Sequence, residues 1–179
     1  LKLKNDLSTN NFIPEHGKRY ISFDVKEANW TVIKHYLNLH LPDWKTYSQS
    51  PDTLNLPKAI AYSKPIRQAI LGQVVNPKLY DKMQKCITSK HLKQIQDNID
   101  QKFYKISAVC SEEIILEVID NQLLEDIKSL EWIVPTKTTC FDIDIVENFG
   151  DRVIIKKYLD GSKSLYAVDG KRMYIHFKT

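Results

Sequence analysis

Cysteine is scarce in this chain of 179 residues, and the three that occur, Cys86, Cys110 and Cys140, lie far apart with no C-x-x-C pair. An odd number of widely spaced cysteines argues against both a disulfide framework and a zinc site. We therefore expect an intracellular, reducing compartment.

Long apolar runs are also missing: no stretch approaches the eighteen or so consecutive apolar residues that a membrane-spanning helix needs. The first residues, Leu1 to Asp6, lack the apolar core of a signal peptide. We therefore expect no membrane partner. Because the chain starts with Leu1 and not with Met, we expect it to be a domain of a longer parent polypeptide.

A strong excess of charge of either sign is absent, since 26 basic residues face 22 acidic ones and the net charge is +4. This balance permits a nucleic-acid partner without demanding one. The hydrophobic fraction of 42% is that of a globular protein, and the length favours one main domain with room for a small appendage.

Two stretches that end on carboxylates stand out among what is present. A buried strand over 19–23 leads to Asp24 and directly into a helix, and far downstream Glu112 and Glu113 stand between two apolar runs with room only for a tight turn. If the two strand systems are neighbours, Asp24 and Glu112 or Glu113 meet at one edge of a sheet. Opposed carboxylates there would bind a hard cation, Mg²⁺ or Mn²⁺. The alternatives are that Asp24 caps the following helix and that the glutamates are ordinary turn residues.

Hydrophobic periodicity predicts an α+β fold. Helices are expected over 26–39, 66–71, 77–100 and 122–131, and strands over 19–23, 103–110, 113–119 and 139–147. This order matches a split β-α-β plan, an antiparallel sheet with helices on one face, in which the first strand pairs with the 103–119 hairpin. Two Asp-Gly turns, at 160–161 and 169–170, predict a C-terminal β-meander. We expect a palm-like domain over 1–150, with a proline-rich excursion over 42–100, and a meander appendage over 151–179.

A basic and aromatic group lies within that excursion: Lys58, Tyr62, Lys64 and Arg67. Positive charges interleaved with an aromatic ring suit contacts to phosphates and stacking on bases. The alternative is an ordinary basic loop. The helix over 77–100 adds a lysine-bearing face, for which a plain solvated surface is the simpler interpretation.

Several of these motifs together resemble the palm of family A DNA polymerases, the DNA polymerase I type. Phe12-Ile13-Pro14-Glu15-His16-Gly17 before the strand that ends on Asp24 resembles the entry to that palm, and Ser111 to Val118 resembles its "HDEIxLEV" hairpin. The resemblance covers roughly residues 11–150, with its elements in the family's order.

The resemblance implies two-metal nucleotidyl transfer from a nucleoside triphosphate, with nucleic acid and replication proteins as partners. Asp24 matches the first metal-binding Asp, Glu112 stands in place of the second, Glu113 matches the acidic residue after it, and Ser111 replaces the family's His. Lys64 and Arg67 fall where the family grips the triphosphate, although the family's Arg-x3-Lys pattern is absent. Two alternatives remain open: a catalytically degenerate palm that serves as a binding or scaffold module, and an unrelated α+β interaction domain.

Overall fold

The architecture is known from a computed structural model, which describes residues 12–148, 150–169 and 172–178. It is an α+β fold with one antiparallel sheet, as predicted. The strands are β1 (Arg19–Val25), β2 (Tyr104–Val109), β3 (Glu113–Val118), β4 (Thr136–Asn148), β5 (Asp151–Tyr158), β6 (Lys163–Asp169) and β7 (Arg172–Lys178). The helices are α1 (Ala28–Tyr36), α2 (Trp44–Gln49), α3 (Lys58–Ala61), α4 (Lys64–Leu71), α5 (Pro77–Asn98) and α6 (Gln122–Lys128), with a 3₁₀ turn at Gln101–Phe103.

The sheet has the order β2-β3-β1-β4-β5-β6-β7, so β1 lies between β3 and β4. The pairing of β1 with the β2–β3 hairpin confirms the predicted neighbourhood of the two carboxylate stretches. The three C-terminal strands continue the same sheet outward from β4. Of the two predicted Asp-Gly turns, Asp160-Gly161 connects β5 to β6 with Gly161 at φ +84°, whereas Gly170 lies outside the described residues. The first eleven residues of the chain also lie outside the described residues.

One face of the sheet is covered by helices. Ile21 and Phe23 of β1 and Leu116 of β3 pack against Ile95 of α5 and Leu123 of α6. A second cluster joins α1 to α5 through Val32 and Ile87. Burial of these side chains, each worth about 1.5–3 kcal/mol, holds the helices on the sheet.

The other face, called the open face here, carries Tyr20, Ser22 and Asp24 of β1. Its apolar cluster is built from strand residues, among them Tyr20, Phe141 and Ile154, with Phe12 packed against them. Because side chains alternate along a strand, every second residue of β1 faces this surface and the others face the helices.

The excursion is more ordered than the sequence indicated. The segment 42–65, where no helix was predicted, contains the short helices α2 and α3, and α4 starts at Lys64 where a helix was predicted from 66. Trp44 anchors this region, since it is 1% exposed and its indole donates to the Ala61 carbonyl over 3.0 Å. Helices of four to six residues are too short to show apolar periodicity, so α2 and α3 were not predicted from the sequence.

Candidate metal and nucleic-acid site

Asp24 lies one residue before the end of β1, and both of its cross-strand neighbours are charged. Its Cα partner in β3 is Glu113, and its partner in β4 is Lys137. Directly opposed residues of antiparallel strands project to the same side, with Cβ atoms about 4.5–5.5 Å apart. The open face therefore ends on a row of three ionisable side chains, Glu113, Asp24 and Lys137.

Glu112 occupies the turn that precedes Glu113. Val109 pairs with Ile114, and the Cys110 amide donates to the Glu113 carbonyl over 2.8 Å, which closes the hairpin around Cys110, Ser111 and Glu112. The side-chain amide of Gln84 on α5 donates to Glu112 Oε2 over 3.0 Å. The predicted meeting of Asp24 with the acidic turn is thus present, and Glu113, not Glu112, is the residue in register with Asp24.

The carboxylates influence one another electrostatically. Although part of the Asp24 side chain is exposed, loss of hydration raises its pKa, and the negative charge of Glu112 raises it further. Loss of hydration likewise raises the pKa of Glu113, and Asp24 and Glu112 add to that effect. Like charges held together in this way are stabilised by a bound cation.

Lysines partly compensate this negative charge. Lys64, in the first turn of α4, and Lys137 both lower the pKa of Asp24. Lys156 of β5 lowers the pKa of Glu113 while its ammonium lies 4.6 Å from the centre of the Phe141 ring. Two of these residues were missed by the sequence analysis. Lys137 could have been found from the sequence, because Lys137, Thr139 and Phe141 extend the alternation of β4. No sequence pattern indicated Lys156, because its position depends on β5 pairing with β4.

Tyr62 is an exposed ring flanked by two ammonium groups. The Lys45 ammonium lies 4.5 Å and the Lys58 ammonium 5.6 Å from the ring centre, and the Tyr62 side chain is 49% exposed. Lys64 follows two residues later in the chain, and its positive charge lowers the pKa of Asp24. The structure thus groups three of the four predicted phosphate-binding residues, Lys58, Tyr62 and Lys64, and adds Lys45.

Arg67, the fourth of these residues, is placed differently. It is buried, 9% exposed, and its guanidinium lies 3.9 Å from the Glu27 carboxylate, while its Nε has no hydrogen-bond partner within the described part of the chain. Glu27 also accepts a hydrogen bond from the Trp44 amide, 3.2 Å, so it ties α2 and α4 to the start of α1. Arg67 is therefore held inward, whereas Lys64, about one helical turn earlier in α4, is exposed to solvent.

Tyr80, near the start of α5, borders the same cluster. Its pKa is raised, first by burial and then by the negative charge of Glu112, with smaller contributions from Asp24 and Asp81, whereas Arg67 lowers it. Tyr80 is therefore within electrostatic range of both the carboxylates and Arg67. Nothing in the sequence set it apart from the other aromatic residues.

The resemblance implies a divalent cation. The carboxylates present can bind one only if waters and substrate phosphates complete its coordination shell. In the part of the chain that the structure describes, no three His, Cys, Asp or Glu side chains converge as a metal cage. Mg²⁺, however, usually binds through one or two carboxylates and completes its shell with waters and substrate phosphates. Asp24 with Glu113 or Glu112 supplies that number of carboxylates.

No disulfide joins the three cysteines.

A cavity of about 1060 Å³ includes this row of charges. Ser22, Asp24, Glu113, Lys137 and Lys156 are among its lining residues. Other lining residues, such as Ile127 and Trp132, belong to the helix side, so the cavity extends beyond the carboxylates. None of the helices among the described residues is both long and apolar enough to cross a lipid bilayer.

No family model, curated protein or solved structure matches this chain significantly.

Proposed function

We propose that the chain is a palm-like, nucleic-acid-binding domain whose carboxylate edge transfers nucleotidyl groups with the help of a divalent cation. One observation carries the proposal: Asp24 opposes Glu113 across the β1–β3 pair while Glu112 lies in the adjoining turn, close enough to raise the pKa of both. The resemblance to the family A polymerase palm, made on residues 11–150, points to the same edge.

Each group has a role that follows from its charge and position. Asp24 and the acidic turn would hold Mg²⁺ or Mn²⁺, with one ion available to activate a 3′-hydroxyl and a second to stabilise the leaving pyrophosphate. Lys64, beside Asp24, would neutralise the phosphates of a nucleoside triphosphate. Tyr62, between Lys45 and Lys58, offers a stacking surface with phosphate contacts at its edges.

The test is primer extension on a primer–template DNA with Mg²⁺ and with Mn²⁺. We expect the wild type to add nucleotides, with a preference for Mn²⁺, because Glu112 reaches further than Asp and Mn²⁺ tolerates looser geometry than the near-ideal octahedron of Mg²⁺. Asp24→Asn and Glu112→Gln should abolish the addition without changing the circular dichroism spectrum. Asp52→Asn, in an exposed turn of the excursion, is the matched control. Variants that keep the wild-type rate would contradict the proposal.

A second candidate is a palm-like domain that binds nucleic acid without catalysis, as a module of a replication assembly. It is favoured by the absence of a three-ligand cage among the described residues and by the inward position of Arg67. Salt-sensitive binding of DNA with no nucleotide addition in either metal would select it. If neither binding nor addition is found at low salt, an unrelated α+β interaction domain is the better description.

A further inference from the structure

Three polar residues of α5 contact the acidic turn. The Gln84 amide donates to Glu112 Oε2 over 3.0 Å, the Thr88 hydroxyl donates to the Ser111 carbonyl over 2.7 Å, and the Ser111 hydroxyl donates to Asp81 Oδ1 over 3.3 Å. Residues three and four apart lie on one face of a helix, so positions 81, 84 and 88 form a single row. This row meets both the backbone and the side chain of the turn.

Gln84 and Thr88 are 4% and 2% exposed. Each directly follows an apolar residue, Met83 or Ile87, of the cluster that joins α5 to α1. A buried polar side chain destabilises the fold unless it is hydrogen-bonded, because it has lost its water. The turn supplies those hydrogen bonds. These hydrogen bonds therefore fix where the turn lies relative to α5. An apolar side chain at position 84 or 88 could not form them.

The effect on Glu112 is to select one orientation of a long, flexible side chain. A glutamate in a hairpin turn is free to rotate, and fixing it costs rotamer entropy that a hydrogen bond must offset. Gln84 donates its hydrogen bond to one of the two carboxylate oxygens, Oε2. In the chain α5 follows α4, which begins at Lys64, so the helix that contacts the acidic turn is the next one after the predicted phosphate-binding residues.

We propose that Gln84 is a positioning residue that presents the Glu112 carboxylate to a divalent cation, with Thr88 holding the backbone beneath it. This inference rests on the proposed function, since it gives Glu112 a metal-binding role. A hydrogen-bond donor behind a ligating carboxylate orients it, and removal of such a donor commonly lowers metal affinity 10- to 100-fold.

The test compares Gln84→Met with Gln96→Met, the same substitution at an exposed position of the same helix. Methionine keeps the length of glutamine and removes the amide donor. Binding of Mn²⁺ is measured by electron paramagnetic resonance on the full chain, without nucleotide. We expect Gln84→Met to bind Mn²⁺ at least tenfold more weakly than wild type and Gln96→Met to bind it as wild type does. Equal affinities in all three proteins would overturn the inference.

A second measurement needs no Gln84 variant to fold. The side-chain NH₂ resonances of Gln84, observed by NMR without metal, should shift in Glu112→Ala and stay in place in Glu125→Ala, which alters an exposed glutamate of α6. Unmoved Gln84 resonances would overturn the contact itself. A wild type that binds no Mn²⁺ would instead overturn the proposed function and with it the role of Gln84, so the two failures are distinguishable.

Discussion

Asp24 lies directly across the β1–β3 pair from Glu113, with Lys137 opposite it on the other side. Two carboxylates on adjacent strands, facing the same way at the end of a sheet, repel each other at neutral pH. The fold tolerates this repulsion, and natural proteins keep such unfavourable arrangements mainly at functional sites.

The first prediction concerns stability. The pKa of Asp24 is raised in the folded chain, so folding favours the protonated form, and this contribution is lost as the pH rises through that pKa. Asp24→Asn should therefore have the higher Tm at pH 7, and the difference should shrink at pH 3.5, below the ordinary aspartate pKa of 3.8. Thermal melts at both pH values check this, with Asp52→Asn as control. A lower Tm for Asp24→Asn at pH 7 would show that the charge is stabilising.

The second prediction concerns the cation. Because Asp24 opposes Glu113 across the β1–β3 pair, a bound cation would offset the repulsion between the two carboxylates. Millimolar Mg²⁺ or Mn²⁺ should therefore raise the Tm of the wild type, since a ligand that binds only the folded state stabilises it. The increase should be lost in Asp24→Asn and in Glu113→Gln. Differential scanning fluorimetry with and without EDTA measures it, and an equal increase in all three proteins would place the cation elsewhere.

The third prediction concerns nucleic acid. Replacing Lys58 or Lys64 by Ala should weaken DNA binding and reduce the slope of log K against log salt by about 0.7–0.9 each, because each removes one phosphate contact. Lys128→Ala is the control, since Lys128 lies on α6 in an ion pair with Glu125. Fluorescence titrations at several salt concentrations give the slopes. Slopes that match the wild type in both variants would exclude this surface as the contact.

The fourth prediction concerns acid stability. His91 on α5 is 2% exposed, its ring lies 5.0 Å from the Trp132 ring, and burial lowers its pKa to about 4. The unfolded chain therefore binds a proton on His91 near pH 6.5 and the folded chain does not, so stability is lost as the pH falls from about 6.5 to 4. The linkage amounts to roughly 3 kcal/mol at most.

His91→Phe keeps an aromatic ring against Trp132 and removes the titration. Its unfolding free energy in urea should fall less than that of the wild type between pH 7 and pH 4.5. Charged groups near His91 include His35 on α1, which also disfavours protonation of His91. Equal pH dependence of the two proteins would show that other groups control acid unfolding.

Local patterns in the sequence were sufficient for the central sheet. The alternation in β4 and the apolar runs of β1 and β3 specified strands, and the order of elements specified that Asp24 meets the 111–113 turn. Which glutamate opposes Asp24 was not predictable, because the register depends on where the hairpin turn closes, and a shift of one residue exchanges the two faces.

The remaining site residues depend on contacts between distant segments. Gln84, Tyr80 and Lys156 reach the carboxylates from α5 and β5, and no local pattern distinguishes them from other polar or aromatic residues. Arg67 was grouped with the exposed lysines because sequence spacing does not show that Glu27 holds it inward.

The most direct test of the central claim is a crystal of the chain grown with Mn²⁺ and a non-hydrolysable nucleoside triphosphate, with anomalous diffraction recorded to locate the metal. We expect an anomalous peak within coordination distance of carboxylate oxygens of Asp24 and of Glu112 or Glu113, with phosphate oxygens completing the shell. A triphosphate bound with its metal away from Asp24, or no metal at this edge of the sheet, would contradict it.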